Sequence, residues 1–264
     1  MKSKKELTEG FARNDEEKVF LASLLDKNEM AQDRGIPSFS KFCTQEQQVI
    51  AKRMLDAVHA EYHVFGGYEN AERAIFCFLP EYLDESYLFS EDSPLAVVRA
   101  EYKGEKQLSH RDFLGSLMGI GIIREAVGDI LTEENRCHFL IIRELLPFIL
   151  QNLSQAGRAS LTLSEIPLSE LPTPEQKFEE SRASVMSMRF DAVISAAFHI
   201  SREKAAQYVN AGYASLNHLE CLKGDKTVKD GDIISVKGLG KVKIEETGAT
   251  SRKGRLSIVI RKYA

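Results

Sequence analysis

The run Arg189-Phe190-Asp191-Ala192-Val193-Ile194-Ser195-Ala196-Ala197, followed shortly by Ser201-Arg202-Glu203-Lys204-Ala205, decides how the C-terminal third of the chain folds. Phe190, Val193, Ile194 and Ala197 recur at helical spacing and predict a helix with one apolar face. Ser201 predicts the cap of a second helix, on which Ala205 and Val209 share a face. Gly212 stands where a helix commonly ends in the left-handed conformation. Apolar runs at Ala214–Asn217, Asp232–Val236, Val242–Glu246 and Arg255–Ile260 predict short strands, with a turn at Asp230-Gly231. Residues 182–264 are therefore expected to pack two helices on a small antiparallel sheet.

Upstream, Pro167, Pro172 and Pro174 lie among acidic and small polar residues and mark residues 167–181 as a linker. Before it, residues 71–166 open with an apolar strand, Ala74–Leu79, stopped by Pro80. Strand Leu95–Tyr102, helix Ser109–Met118, strand Val127–Leu131, strand Cys137–Ile142, helix Glu144–Leu153 and strand Ala159–Leu163 follow in that order. Pro147 fits only the first turn of its helix. The order βαββαβ predicts a ferredoxin-like, RRM-like domain. The RNA-recognition motif stacks bases on aromatics of its central strands. Cys137–Ile142 offers only Phe139, without a basic-glycine-aromatic start, so Phe139 is expected in the core. Residues 1–70 read as helical: Asn14-Asp15 caps a helix ended by Gly35 and Pro37, and Thr44 with Gln47 forms a capping box. The class expected for the whole is α+β.

Charge is divided along the chain. The 264 residues carry a net charge of −4, yet residues 181–264 hold 15 basic and 8 acidic side chains. The first 180 hold 20 and 31. A basic module on an acidic body suggests a polyanionic partner for the C-terminus. No apolar run approaches the roughly 18 residues a membrane span needs, and the charged N-terminus leads into no apolar core of a signal, so a cytoplasmic protein without a membrane span is expected. The four cysteines are far apart and form no Cys-x-x-Cys pair, which suggests neither zinc nor redox chemistry. His59 and His63 can share a helix face, but no third ligand lies near, so no metal is expected.

The runs Arg189-Phe190-Asp191, Ser201-Arg202-Glu203-Lys204-Ala205, Gly212-Tyr213-Ala214, Leu216-Asn217 and Val228-Lys229-Asp230-Gly231-Asp232-Ile233-Ile234 together resemble the S4 RNA-binding domain. His218 departs from its usual glycine and Phe190 from its usual leucine. Phe65-Gly66-Gly67-Tyr68, Glu72-Arg73, Leu108–Met118, Gly121–Glu125, Gly128–Leu131, Gly238–Lys241 and Lys253–Arg255 extend the likeness, so that residues 40–264 resemble the YlmH family. That resemblance implies a cytoplasmic bacterial RNA-binding protein encoded near cell-division genes. It also implies binding to rRNA and tRNA on the large ribosomal subunit, with a role in rescuing obstructed nascent-chain complexes.

Arg189 opens one helix, and Arg202 and Lys204 open the next. Helix N-termini offer N–H groups and partial positive charge to phosphate, and arginine adds a planar fork. Ser201 caps its helix or donates to phosphate. Asn217 and Lys223, from the adjacent hairpin, and Lys241 complete the expected RNA site, in which phosphate and shape dominate over base edges. Competing readings are plain: Ser201 is an ordinary cap, Asn217 a turn residue, Lys241 a surface charge, and Asp191 a partner for a neighbouring arginine. His110, Arg111 and Arg124 form a second candidate patch, and the alternative reading of His110-Arg111-Asp112 is a helix start with interlocking polar groups. Arg124, Glu125 and Asp129 are expected to form internal ion pairs.

Enzyme readings are weaker. Leu117 stands where a kinase catalytic loop needs Asn, and Arg124 where a glycine-rich loop needs its third glycine. No catalytic residue and no cofactor is expected. The serious alternative is an RNA-modifying enzyme, of pseudouridine synthase or methyltransferase type, using Asp112 or Asp129 as its acid. A protein partner docked on the N-terminal helices is compatible with either reading.

Overall fold

The computed structural model describes residues 3–104, 107–174, 177–250 and 254–263. The chain divides into two compact units, residues 1–174 and 175–264.

The first unit begins with α1 (Lys4–Phe11) and α2 (Asp15–Arg34). Asn14 caps α2 by accepting from the Glu17 N–H at 2.8 Å, and Gly35 ends it at φ 64°. β1 (Ser38–Phe39), α3 (Gln45–Ala57), β2 (His63–Phe65) and β3 (Ile75–Phe78) follow, and Thr44 and Gln47 form the expected capping box. β3 is the centre of a three-stranded sheet with β1 and β2. His59 lies beyond the end of α3 and His63 on β2, so the two histidines do not share a helix face.

β4 (Leu95–Tyr102), α4 (His110–Gly119), β5 (Val127–Glu133), β6 (Arg136–Ile142), α5 (Leu146–Asn152), β7 (Gln155–Ala156) and β8 (Ala159–Ile166) complete the unit. The sheet order is β5-β6-β4-β8-β7, every neighbouring pair antiparallel. Burial follows from strand alternation. Val98, Phe139 and Ile141 face α4 and α5, where they pack with Phe113, Leu117 and Ile149. Leu95, Val97, Leu140 and Ile166 face the other way and are covered by Phe42, Phe65, Ile75 and Cys77. The expected boundary between residues 70 and 71 thus falls inside a shared apolar core. Phe139 is fully buried on the helix side, and part of the face that would stack bases in an RNA-recognition motif is occupied by the N-terminal sheet.

In the second unit, β9 (Phe178–Val185) precedes α6 (Phe190–Ala197), α7 (Arg202–Asn210), β10 (Ala214–Leu216), β11 (Leu219–Glu220), β12 (Ile233–Val236), β13 (Gly240–Thr250) and β14 (Leu256–Tyr263). The six strands run in the order β11-β10-β12-β13-β14-β9. Phe190, Val193, Ile194, Ala205 and Val209 of the helices pack on Ile234, Val236, Val242, Ile244, Ile258 and Ile260 of the sheet. β9 begins within the segment read as linker and pairs along its whole length with β14. The turn joining β10 to β11 holds Asn217 at φ 50° and His218 at φ 67°, the left-handed pair of a tight two-residue hairpin. A glycine would take the second position without strain, and histidine takes it here.

Among the described residues no helix is long and apolar enough to cross a membrane, and no cluster of three metal-ligating side chains occurs.

Candidate RNA-binding site

The tips of α6 and α7 meet at one carboxylate. Asp191, 8% exposed, lies in the first turn of α6. Arg189 donates to it twice, from Nε to Oδ1 at 3.2 Å and from Nη2 to Oδ2 at 3.0 Å. Arg202, the first residue of α7, donates from Nη2 to Oδ1 at 2.9 Å. Burial alone would raise the Asp191 pKa, but the two guanidinium groups overcome it and hold the carboxyl below its ordinary value. The same hydrogen bond to Asp191 raises the pKa of Arg189. Both arginine side chains remain about half exposed, at 48% and 53%. A guanidinium has five N–H donors, so each keeps several for an external anion.

The loop after β11 crosses the start of α6. The Phe190 N–H donates to the Lys226 carbonyl at 2.8 Å and the Asp191 N–H to the Gly224 carbonyl at 3.0 Å. The side chain of Asp191 packs against Gly224, where a Cβ would stand 3.3 Å from its own Cβ. This corrects one expectation: the leading N–H groups of α6 are already satisfied, so phosphate would meet side-chain cations there rather than bare backbone. Lys223 and Lys226 flank Gly224 in this loop, whose backbone runs beside the α6 tip, and Lys226 was not among the residues expected there. The available signal was Gly224 between the two lysines.

Ser201 caps α7 by accepting from the Lys204 N–H at 3.1 Å. Its hydroxyl hydrogen is not required for that bond. Lys204 is exposed on the same first turn and forms no ion pair among the described residues. Arg189, Arg202, Lys204, Ser201 and Lys223 are therefore gathered at one end of the helix pair.

Two expected members are not. The Asn217 amide is engaged within the fold: Nδ2 donates to Asp232 Oδ1 at 2.8 Å and Oδ1 accepts from the Ile233 N–H at 2.9 Å. Asn217 is the turn residue of the competing reading. Lys241 lies on the opposite face of the sheet. Its neighbour Val242 points into the core beneath the helices, and alternation turns Lys241 away, where its Nζ sits 4.9 Å from the Tyr263 ring centre.

In the first unit, His110 and Arg111 are exposed in the first turn of α4. Burial, and then the charge of Arg124, lowers the His110 pKa, which places Arg124 within electrostatic reach. Arg124 is half-buried and donates from Nη1 to the carbonyls of Val127 at 2.6 Å and Gly128 at 3.3 Å. The expected internal ion pairs are replaced by hydrogen bonds to backbone. Asp129 accepts from the Tyr68 hydroxyl at 2.7 Å and from the N–H groups of Glu72 and Arg73 at 2.7 and 3.0 Å. Asp112 accepts from the N–H and hydroxyl of Ser109 at 2.8 and 2.7 Å. Both carboxylates proposed as catalytic acids are engaged in holding the chain.

The family model described as "Putative RNA-binding domain in YlmH" matches residues 90–170. The chain is 27% identical over 248 residues to the "Ribosome-associated protein quality control protein P2" of Bacillus subtilis (strain 168), covering 94% of this chain and 95% of that protein. It is similar in fold to the solved structure of "Cell division protein ylmH from Streptococcus pneumoniae", with a TM-score of 0.51 and 20% identity, covering 60% of this chain and 96% of that one.

Proposed function

We propose that the chain, which resembles YlmH proteins, binds structured rRNA or tRNA through the helix tips of residues 175–264, without catalysis. The second unit is read as an S4 domain. The first is read as a ferredoxin-like domain: its four long strands stand in the spatial order second, third, first, fourth, the order of two interlocked βαβ units. The relative named for ribosome-associated quality control supports a ribosomal role, and the large subunit, in rescue of obstructed nascent chains, is the proposed place of action.

One observation carries this reading. Asp191 holds Arg189 and Arg202, from two helices, side by side with their outer N–H groups exposed, and Lys204 and Lys223 flank them. Arginine forks fixed in this way match phosphate oxygens bidentately. The positions of Asp112 and Asp129 in structural hydrogen bonds favour a binder over an RNA-modifying enzyme.

Crosslinking the protein to RNA in cells, then sequencing what is attached, tests the proposal. Reads concentrated on large-subunit rRNA and tRNA are expected, and reads spread over messenger RNA would overturn it. Incubation with labelled uridine RNA should leave every base unchanged. Conversion to another base would establish the enzyme instead.

A further inference from the structure

A groove of about 1110 Å³ runs through the first unit. α2 borders it with Val19, Phe20, Ser23, Lys27 and Met30, a single stripe at helical spacing. Residues 36–43 line it next, and its far side is built from residues between 121 and 126, ahead of β5, and 142–145, after β6. The lining is mostly apolar, yet four of its large side chains, Val19, Met30, Ile36 and Ile123, remain 36–71% exposed. Exposed apolar surface gathered in a groove marks a place where something binds.

One charged group stands inside this apolar setting. Lys27 is half-buried, and no carboxylate pairs with it among the described residues. The charges that act on it are Glu144, which attracts it from beyond ion-pair distance, and Lys41, which repels it. Burial lowers the Lys27 pKa, and Lys41 adds to that against Glu144. The other carboxylates of the lining act elsewhere. Glu125 acts on Arg73 and Arg124, and Asp92 on Tyr87. Glu16 stands three turns up α2 from Lys27, roughly 16 Å along the axis. Two ammonium groups therefore meet one carboxylate at this point, and a half-buried cation without a paired anion is costly.

We propose that the groove binds a free amphiphilic carboxylate, an acid on an acyl tail, with its head between Lys27 and Lys41 and its tail along Phe20, Val19 and Ile123. A carboxylate there gives both lysines a charge-assisted partner. From Lys27 to Phe20 and Val19 the stripe on α2 runs about 10–12 Å, a track for the tail. Sites for small ligands combine an apolar lining with a few placed polar groups in this way. The groove lies wholly within the first unit, so the inference stands apart from RNA binding by the helix tips.

Isothermal titration of the full chain with dodecanoate, below its micelle-forming concentration, is the test. Dodecanoate should saturate a single site. Decanoate, two methylenes shorter, should bind about tenfold more weakly. Dodecyltrimethylammonium carries the same tail with the opposite charge and should not bind. Lys27→Met keeps the apolar stem and loses the charge; it and Lys41→Met should each weaken dodecanoate about fivefold or more. Lys52→Met, on an exposed position of α3 outside the groove, should change nothing. If the lysine variants fail to fold, a diazirine-bearing dodecanoate on the parent keeps the test open, with attachment to α2 and to residues 121–126 expected. The proposal is overturned if the parent does not bind dodecanoate, if the cationic amphiphile binds as well, if both folded lysine variants bind as the parent does, or if the label attaches elsewhere. It is equally overturned if a benzophenone placed at Val19 joins a protein segment in cells while the dodecanoate titration stays flat.

Discussion

Arg202 reaches from the first turn of α7 to Asp191 in the first turn of α6, Nη2 to Oδ1 at 2.9 Å, and so fixes the two helix tips against each other through a single carboxylate. Arg189 closes on the same group from the other side. Two guanidinium groups that would repel each other are held side by side because both donate to the carboxylate between them.

Replacing Asp191 by Asn should therefore destabilise the second unit by about 1 kcal/mol, a figure discounted because both arginines are half exposed. The carboxyl has a lowered pKa in the folded chain, so its contribution is present above the unfolded value near about 3.9 and is lost as pH falls through the folded value. Acid denaturation followed by circular dichroism should show a shallower loss of stability below about pH 4 in Asp191→Asn than in the parent.

Asn217→Ala should lose two side-chain hydrogen bonds and place alanine at φ 50°, costing roughly 1–3 kcal/mol by urea denaturation. At a temperature where the variant is folded, its affinity for structured RNA should equal that of the parent. A selective loss of affinity would return Asn217 to the binding site.

Much of this architecture was legible. The apolar spacing of Phe190, Val193, Ile194 and Ala197, the Ser201 cap and the βαββαβ order all follow from local rules, and each is found in place. β9 was not legible. Phe178-Glu179-Glu180-Ser181-Arg182 is an edge strand exposed on both faces, so it carries no alternation, and only its pairing with β14 makes it a strand. The site divides in the same way. Residue types near the helix starts named Arg189, Arg202 and Lys204. That the carbonyls of Gly224 and Lys226 occupy the N–H groups of α6 depends on a loop more than thirty residues away. Which face Lys241 occupies depends on strand register, which its own neighbourhood does not determine.

The pairing of β9 also sets where the second unit can be cut. A fragment of residues 175–264 should fold cooperatively. One of residues 182–264 loses the partners of Ile260, Arg261, Lys262 and Tyr263, and should melt at least several degrees lower. Thermal melts of the two fragments decide this, and equal midpoints would show that the first half of β9 adds nothing.

His138 gives the first unit a different pH dependence. It is 3% exposed, and its Nδ1 has no hydrogen-bond partner among the described residues, with Glu133 at 3.9 Å and Arg99, Glu101 and Arg136 around it. Burial lowers its pKa, so below about pH 6.5 the unfolded chain takes up a proton that the folded chain resists. Stability of the first unit should therefore fall as pH drops from about 7.5 to 5.5. His138→Leu should flatten that part of the profile in urea denaturation.

The central claim is that the two helix tips hold RNA phosphate. Its most direct test is the affinity of a structured rRNA hairpin for the full chain, with and without Arg202→Ala and Lys204→Ala, measured by filter binding over a salt series. The account predicts weaker binding and a log–log slope reduced by about 0.7–0.9 for each contact removed, in a protein that is still folded at the assay temperature. Unchanged affinity and slope in the folded double variant would contradict it.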